Sequence, residues 1–225
     1  MTQTRSPSRL PTGWHWQKLG QVATFINGRA FKPDDWTASG LPIVRIQNLT
    51  TPSAPFNYFD QDVEPRHRID DGDLLVSWSA SLDAFVWTRG PAVLNQHIFK
   101  VIEQPALVHR RYLYHAIRGA MARIRSQVHG ATMQHITKGA FEATPILLAP
   151  LPEQRRIATI LDEQMNTIQK ACAAAAAQLG AAKALPAAYL RKTFDSSEAE
   201  RWPHRSLREI ASLGPAKAIM TTGET

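Results

Sequence analysis

A run of apolar residues spaced alternately four and three apart constrains this chain more than any other feature. Leu161, Met165, Ile168, Cys172, Ala175, Leu179 and Ala182 keep that rhythm, within a seam reaching from about Ala158 to Ala184. Such spacing holds one stripe on one face of a helix that supercoils with a partner. Ala171 to Ala177, interrupted only by Cys172, has high helix propensity and little bulk, so another helix can approach closely. Pro152 suits the first position of a helix, and Glu153 places a carboxylate where the helix dipole favours one. A helix from Pro152 to Ala184 would be about 50 Å long at about 1.5 Å per residue. One small domain cannot bury so long a stripe. The segment reads as a spacer and docking element.

The chain has 225 residues, enough for one domain with an appendage or for two small domains. Its apolar content of 44% supports a real core, and its net charge of +7 points to nucleic acid or another anionic surface. No apolar run approaches membrane-spanning length, and Met1 to Arg9 is polar, so no membrane partner is expected. The single cysteine, Cys172, cannot support a disulfide framework and implies a reducing, cytoplasmic setting.

Ahead of the long helix, the chain is rich in strand signals. Leu41 to Leu49 reads as a strand in which Arg45 and Gln47 alternate with Val44 and Ile46. Ile69 to Trp78 reads as an acidic turn leading into a buried strand. Its Asp70, Asp71 and Asp73 fit an Asp-Gly turn better than a metal site, because no downstream Glu stands at calcium-loop spacing. Phe85–Trp87 and Ala92–Leu94 flank Arg89-Gly90-Pro91 as an expected hairpin, and His97 to Ile102 continues the β-rich part. Leu107 to Val128 then changes character. Leu113, Ile117, Met121, Ile124 and Val128 mark the apolar face of a helix, while Arg111, His115, Arg118 and Arg125 lie on another. No acidic residue stands between Glu103 and Glu142.

The segment Pro150-Leu151-Pro152-Glu153-Gln154-Arg155-Arg156-Ile157-Ala158-Thr159-Ile160-Leu161-Asp162 follows Ile146-Leu147-Leu148 and opens the long helix. With the later Leu185-Pro186-x-x-Tyr189-Leu190-Arg191-Lys192-x-Phe194, it closely resembles the specificity subunit of type I restriction–modification systems. The Asp-Gly-Asp-Leu-Leu run from Asp71 and the strand near Ile43 are similar to that family too. The resemblance implies a target-recognition domain joined to a conserved helix. The expected fold is therefore α+β, a mixed recognition domain followed by one long coiled-coil-forming helix. The expected layout is an arm over 1–11, a DNA target-recognition domain over 12–150, the spacer helix over 151–194 and a linker over 195–200. Residues 201–225 read as the start of a second recognition domain. There Trp202, Leu207, Ile210, Ala211, Ser212 and Leu213 match Trp14, Leu19, Val22, Ala23, Thr24 and Phe25 at one constant offset.

No dinucleotide-binding or phosphate-binding glycine loop appears, nor a His-Glu-x-x-His pair, nor an Asx-Pro-Pro-aromatic run of the amino-methyltransferase kind. Cys172 lies on the seam as a packed small residue, and the histidines lack ligand spacing. The expectation is a non-catalytic chain that binds double-stranded DNA, with no catalytic or metal residues. Arg111, Arg118 and Arg125 are candidate phosphate contacts, against the alternative of a solvated helix face. Thr132, Gln134, His135 and Lys138, in a Gly-bounded loop, are candidate base readers, with Arg45, Gln47 and Asn48 a second set. The resemblance implies a modification subunit that holds S-adenosylmethionine and methylates adenine, and a restriction subunit that uses ATP and Mg. No cofactor is expected on this chain itself. The seam residues are the expected partner-binding stripe, and two copies pairing antiparallel along it would form a homodimer with an interrupted palindromic target. An expectation that Pro186 ends or kinks the pairing goes with it. Against this stands the alternative that the stub from Arg201 to Thr225 marks a rearranged gene whose product is inactive or needs a second half from elsewhere. The alternative function is a recognition module or fragment of a fused restriction–methyltransferase enzyme. A coiled-coil adaptor without DNA binding is disfavoured by the basic stretch from Leu107 to Lys138.

Overall fold

The structure, a computed structural model, describes residues 10–79, 81–127 and 136–211. In chain order its strands are β1 (His15–Lys18), β2 (Ala23–Asn27), β3 (Leu41–Val44), β4 (Asn57–Phe59), β5 (Arg68–Ile69), β6 (Leu74–Ser77), β7 (Asp83–Val86), β8 (Ala92–Leu94), β9 (Ile98–Glu103) and β10 (Pro145–Leu148). The helices are α1 (Ile46–Thr50), α2 (Arg110–Gln127), α3 (Lys138–Glu142), α4 (Leu151–Phe194) and α5 (Leu207–Ile210). Two units separate by internal packing, residues 1–165 and residues 166–225.

In the first unit, period-two alternation decides the layering. β6 turns Leu74 and Val76 to one side and Leu75 to the other, and all three are buried, so apolar layers cover the strand on both faces. It lies inside an antiparallel sheet of order β2-β9-β6-β7. One face of that sheet packs against the apolar stripe of α2, where Leu113, Ile117 and Met121 are fully buried. Phe141 of α3 closes this layer, edge-to-face on Phe25 at 4.8 Å and stacked on Phe99 at 5.8 Å. The opposite face meets a second sheet of order β4-β3-β8-β5, in which β3 and β8 run parallel, through Leu75, Ile98, Val44, Leu94 and Trp87. β1 and β10 pair separately, from His15 opposite Leu148 to Lys18 opposite Pro145. The α+β expectation holds.

Two local expectations are corrected. The strand from Leu41 stops at Val44, and Ile46–Thr50 is helical. Asn48 causes the change: its Oδ1 accepts the Arg45 N–H at 3.0 Å, and its amide donates to the Ala54 and Pro55 carbonyls at 3.2 and 3.0 Å. The expected hairpin is absent, since β7 pairs with β6 whereas β8 joins β3 and β5 in the other sheet. Trp87 diverts the chain. Its N–H donates to Asp73 at 2.9 Å, its carbonyl accepts from Gly72 at 2.8 Å, and its indole donates to Gly90 at 2.6 Å. The acidic turn is thereby fixed as a turn, with Gly72 at φ +89° and Asp73 paired to Lys100 at 2.8 Å. The long helix α4 runs through Pro186 to Phe194 and counts 44 residues.

In the second unit α4 is followed by a 3-10 turn over Ala199–Arg201, and Phe194 meets Trp202 edge-to-face at 5.9 Å. The short helix α5 stands where the constant offset of the repeat places the 3-10 turn Leu19–Gln21 of the first copy. Among the described residues no helix is long and apolar enough to cross a membrane.

The root of α4 is held by one side chain. Gln154, 1% exposed, accepts the His109 N–H just before α2 at 2.8 Å and donates to the Leu107 and Ala149 carbonyls at 3.0 and 2.8 Å. Gln154→Ala removes all three bonds inside a buried site and should lower unfolding stability by about 2–3 kcal/mol, at about 1 kcal/mol or somewhat more per lost bond. Gln154→Glu should cost at least as much, because a carboxylate would face two carbonyl oxygens. Urea titration of both variants checks this.

Candidate nucleic-acid interface

The basic face of α2 is answered from outside the helix. Arg111 grips Asp162 of α4 through two hydrogen bonds, that from Nε at 2.9 Å, and His115 Nε2 meets the same carboxylate at 2.7 Å. Arg118 Nε donates to Asp83 at 3.0 Å and its Nη1 to the Tyr114 hydroxyl at 3.1 Å. Arg125 donates to the Leu82 carbonyl at 2.7 Å. All three guanidiniums therefore have internal acceptors, and much of the charge read as a free stripe holds α2 to β7 and α4. The Arg111 hydrogen bonds hold the Asp162 carboxyl below the ordinary carboxylate range, against the opposing effect of its partial burial, with His115 adding to the lowering.

Of the second expected set, Gln47 is exposed on α1. Arg45 donates to Asn57 Oδ1 at 2.7 Å and lies over the Trp36 ring at 5.4 Å. Asn48 is 1% exposed with its amide engaged as described, so it has a structural place and no free edge. Thr132, Gln134 and His135 lie outside the described residues. Lys138 opens α3, exposed, 3.7 Å from Glu142.

What the structure does bring together lies along the outer edge of β2. A cavity of about 520 Å³ there is lined by Thr24 to Gly28, Arg66, His67 and Lys138. Arg66 and Lys138 form only exposed ion pairs, with Glu64 and Glu142, and such pairs exchange readily for phosphate. His67 Nδ1 is 3.0 Å from the Asn27 carbonyl, and Asn27 in turn donates to the Gln96 carbonyl at 3.3 Å. The cavity thus adjoins the Asn95-Gln96-His97 turn between β8 and β9. Gly28 makes that contact possible, since a Cβ there would collide with the Leu94 and Asn95 carbonyl oxygens. Sequence reasoning missed Arg66 and His67. The available signal was the basic run Arg66-His67-Arg68. Among the described residues no group of three His, Cys, Asp or Glu could hold a metal ion.

The seam divides at the domain surface. Ile157 and Leu161 line a groove of about 340 Å³ with Trp14 and Trp16, whereas Ile168 and Leu179 are more than half exposed. Cys172, Ala175 and Ala182 are also exposed, and Met165 is half-buried. Beyond them Leu185, Tyr189, Leu190 and Phe194 are more than half exposed as well.

Residues 11–173 match the sequence family described as the type I restriction modification DNA specificity domain. The chain belongs to this family. It is 28% identical over 151 residues to the type I restriction enzyme EcoBI specificity subunit of Escherichia coli, covering 66% of this chain and 32% of that protein. It is 24% identical over 221 residues to the MjaVIII specificity subunit of Methanocaldococcus jannaschii, covering 93% of this chain and 52% of the relative. This chain therefore spans about half the length of these relatives or less. Among solved structures, a chain of a type I R-M system matches with a TM-score of 0.66 at 24% identity, over 84% of this chain and 47% of that one. The HsdS subunit from Thermoanaerobacter tengcongensis matches with a TM-score of 0.58 at 22% identity, over 74% and 41%. Both show the fold of the specificity family.

Within the family motif that opens α4, the roles are now distinct. Gln154 and Ala158 are buried against the recognition domain, Leu161 lines the groove, and Asp162 anchors Arg111 and His115. Because the folded carboxyl of Asp162 titrates below its unfolded value, the unfolded chain binds the proton first as pH falls. The pair's contribution should be complete above the ordinary carboxylate pKa of about 4 and should disappear as pH drops through the lower folded value. Asp162→Asn should lose about 1 kcal/mol at neutral pH, a modest figure because Arg111 is partly screened by solvent. The gap between wild type and variant should close on acidification, as followed by chemical denaturation at stepped pH.

Proposed function

We propose that this chain supplies DNA sequence specificity to a type I restriction–modification complex, as a non-catalytic recognition component. The observation that carries it is the cation-lined cavity beside β2, adjoining a polar turn, on a domain of the specificity family. In this reading Arg66, His67 and Lys138, which line that cavity, take the phosphates. Thr132, Gln134 and His135 belong to the 128–135 segment that precedes α3 in sequence. Those three residues, with Gln47 and Arg45, are kept as further DNA contacts. Arg111, Arg118 and Arg125 act on DNA, in this reading, through whatever charge their internal acceptors leave uncompensated. A separate modification subunit would hold S-adenosylmethionine and methylate adenine, and a restriction subunit would use ATP and Mg. A cytoplasmic setting goes with this reading.

The test is methyl transfer. Purified chain with labelled S-adenosylmethionine and DNA should give no labelled product. Adding the modification subunit should give label confined to one sequence motif. Label in the isolated chain, or label without sequence preference in the complex, refutes the reading.

The exposed stripe of α4 favours a partner helix of the same kind, and we assign that partner to a second copy of the chain, antiparallel, with the Ala-rich middle at closest approach. A two-fold protein of this kind demands an interrupted palindrome as target. Light scattering at micromolar concentration should give the dimer mass, and Ile168→Glu or Leu179→Glu should give the monomer. A monomeric wild type, or a methylated motif with unrelated halves, excludes this pairing.

A further inference from the structure

The seam of α4 does not fade into solvent at the root of the helix. Counted back from Leu161 it runs on through Ala158 and Gln154, which the recognition domain itself buries. A helix lying along the seam therefore meets the domain at Leu161, where the surface opens into the groove of about 340 Å³. Trp14 and Trp16 of β1, Ile146 and Leu147 of β10, and Ile157 and Leu161 of α4 wall that groove. Gly119 of α2 lines it too, and a Cβ added there would meet nothing within 4 Å, so the space beside that turn is empty. Trp16 is 56% exposed although its strand is paired and Leu147 stands opposite it. The polar groups around the groove are engaged within the domain. The Tyr112 hydroxyl donates to the Leu147 carbonyl at 2.6 Å, Arg123 donates to the Pro145 carbonyl at 3.5 Å, and His115 meets Asp162. What the groove offers a visitor is chiefly apolar surface on a tied frame. The far end of α4 has surface of the same kind. Leu185, Tyr189 and Leu190 are each more than half exposed, and Leu185 and Tyr189, four residues apart, share a helix face. A continuous helix cannot fold these turns back onto its own root, so the groove they reach belongs to another copy.

We propose that the groove at the root of α4 is the docking site for Leu185, Tyr189 and Leu190 of a second copy, so that each recognition domain grips the far end of its partner's helix. This rests on the antiparallel pairing assigned above and adds the domain surface to that interface. The register of the seam carries the assignment. Interleaving two antiparallel seams about the Ala-rich run sets Ile168 against Leu179, Met165 against Ala182 and Cys172 against Ala175. Carried outward, the same register sets Leu161 level with Pro186, Ala158 with Tyr189 and Ile157 with Leu190. The exposed apolar residues at one end of the helix thus arrive where Ile157 and Leu161 open the groove at the other. Two-fold symmetry fills both grooves at once. The docking also supplies what the seam lacks. Its middle is made of alanines, and alanine against alanine looks alike after a slide of one heptad, about 10 Å along the axis. Such a slide would withdraw both helix ends from their grooves or drive both into the walls. The grooves therefore hold the pair in one register and the two domains at one separation, as a target of two spaced halves requires.

The test uses the full chain, with dimer dissociation constants taken from a dilution series in the analytical ultracentrifuge. Tyr189→Ala with Leu190→Ala removes the occupant, and Gly119→Met fills the groove from a helical position with empty space beside it. Each variant should weaken the dimer by about 100-fold, because a buried apolar side chain contributes about tenfold or more and every change acts twice in a two-fold pair. Gly119→Met should keep or raise the melting temperature of the monomer, methionine being the better helix former, which separates loss of contact from loss of fold. Acrylamide quenching of tryptophan should fall as the wild type dimerises and Trp16 is covered, and fall less in Trp16→Phe. Unchanged dimer affinity in either groove variant overturns the docking while the seam pairing stands. Unchanged affinity in Gly119→Met with loss of binding to the modification subunit gives the groove to that subunit and overturns the docking likewise. A wild type that stays monomeric at micromolar concentration overturns docking and pairing together.

Discussion

Everything in the first unit that concerns α4 depends on burying one amide. Gln154 sits in the first turn of a helix, where an exposed polar residue would be ordinary, yet it is enclosed by two backbone stretches that together supply three hydrogen-bond partners. It receives the N–H of His109, so it also settles where α2 begins. A leucine of similar volume would fill the space but leave one N–H and two carbonyls without partners, and a carboxylate would repel the carbonyls. Glutamine has the donor and acceptor count this corner needs. The Asp162 contacts to Arg111 and His115 lie two turns further along the same face, so α2 and α4 are joined at two points and cannot rotate against each other freely.

That joint shapes the electrostatics of the domain. α2 has no acid of its own, and a lone helix of that composition would repel itself. Asp83 and Asp162, from β7 and α4, neutralise it only when the tertiary structure has formed. The arginines of α2 therefore also brace the helix against β7 and α4. Along the edge of β2, Arg66 and Lys138 have exposed partners of little energetic weight.

Legibility in the sequence followed the range of the determining interaction. The long helix and α2 were readable because a periodic stripe of apolar residues determines a helix locally, and the burial of Leu113, Ile117 and Met121 bears out the stripe on α2. The acidic turn was readable because Gly72 sits at positive φ, which a glycine after two aspartates announces. Ala92–Leu94 was misread because nothing local says that this strand leaves its neighbour for a parallel partnership with β3, some fifty residues earlier in the chain. Leu41 to Leu49 was half right: Asn48 closes the helical turn by bonds to residues on both sides of it, which an alternation pattern cannot show. Arg66 and His67 escaped notice because only the folded chain sets them beside β2 and Lys138.

The pairing of β1 with β10 has a consequence for how such a chain is made. His15 lies opposite Leu148, so the opening strand of the recognition domain waits for a partner that emerges from the ribosome only after the whole domain has been synthesised. The apolar faces of β2, β6 and β9 can collapse earlier, but the two-stranded ribbon beside α4 closes last. At about 5–20 residues per second, that is a delay of roughly ten seconds during which β1 has no partner strand. Contacts so distant along the chain slow folding, because loop-closure entropy is lost before the contact can offset it. The root of the long helix, through Ile157 and Leu161, then completes the groove that Trp14 and Trp16 line.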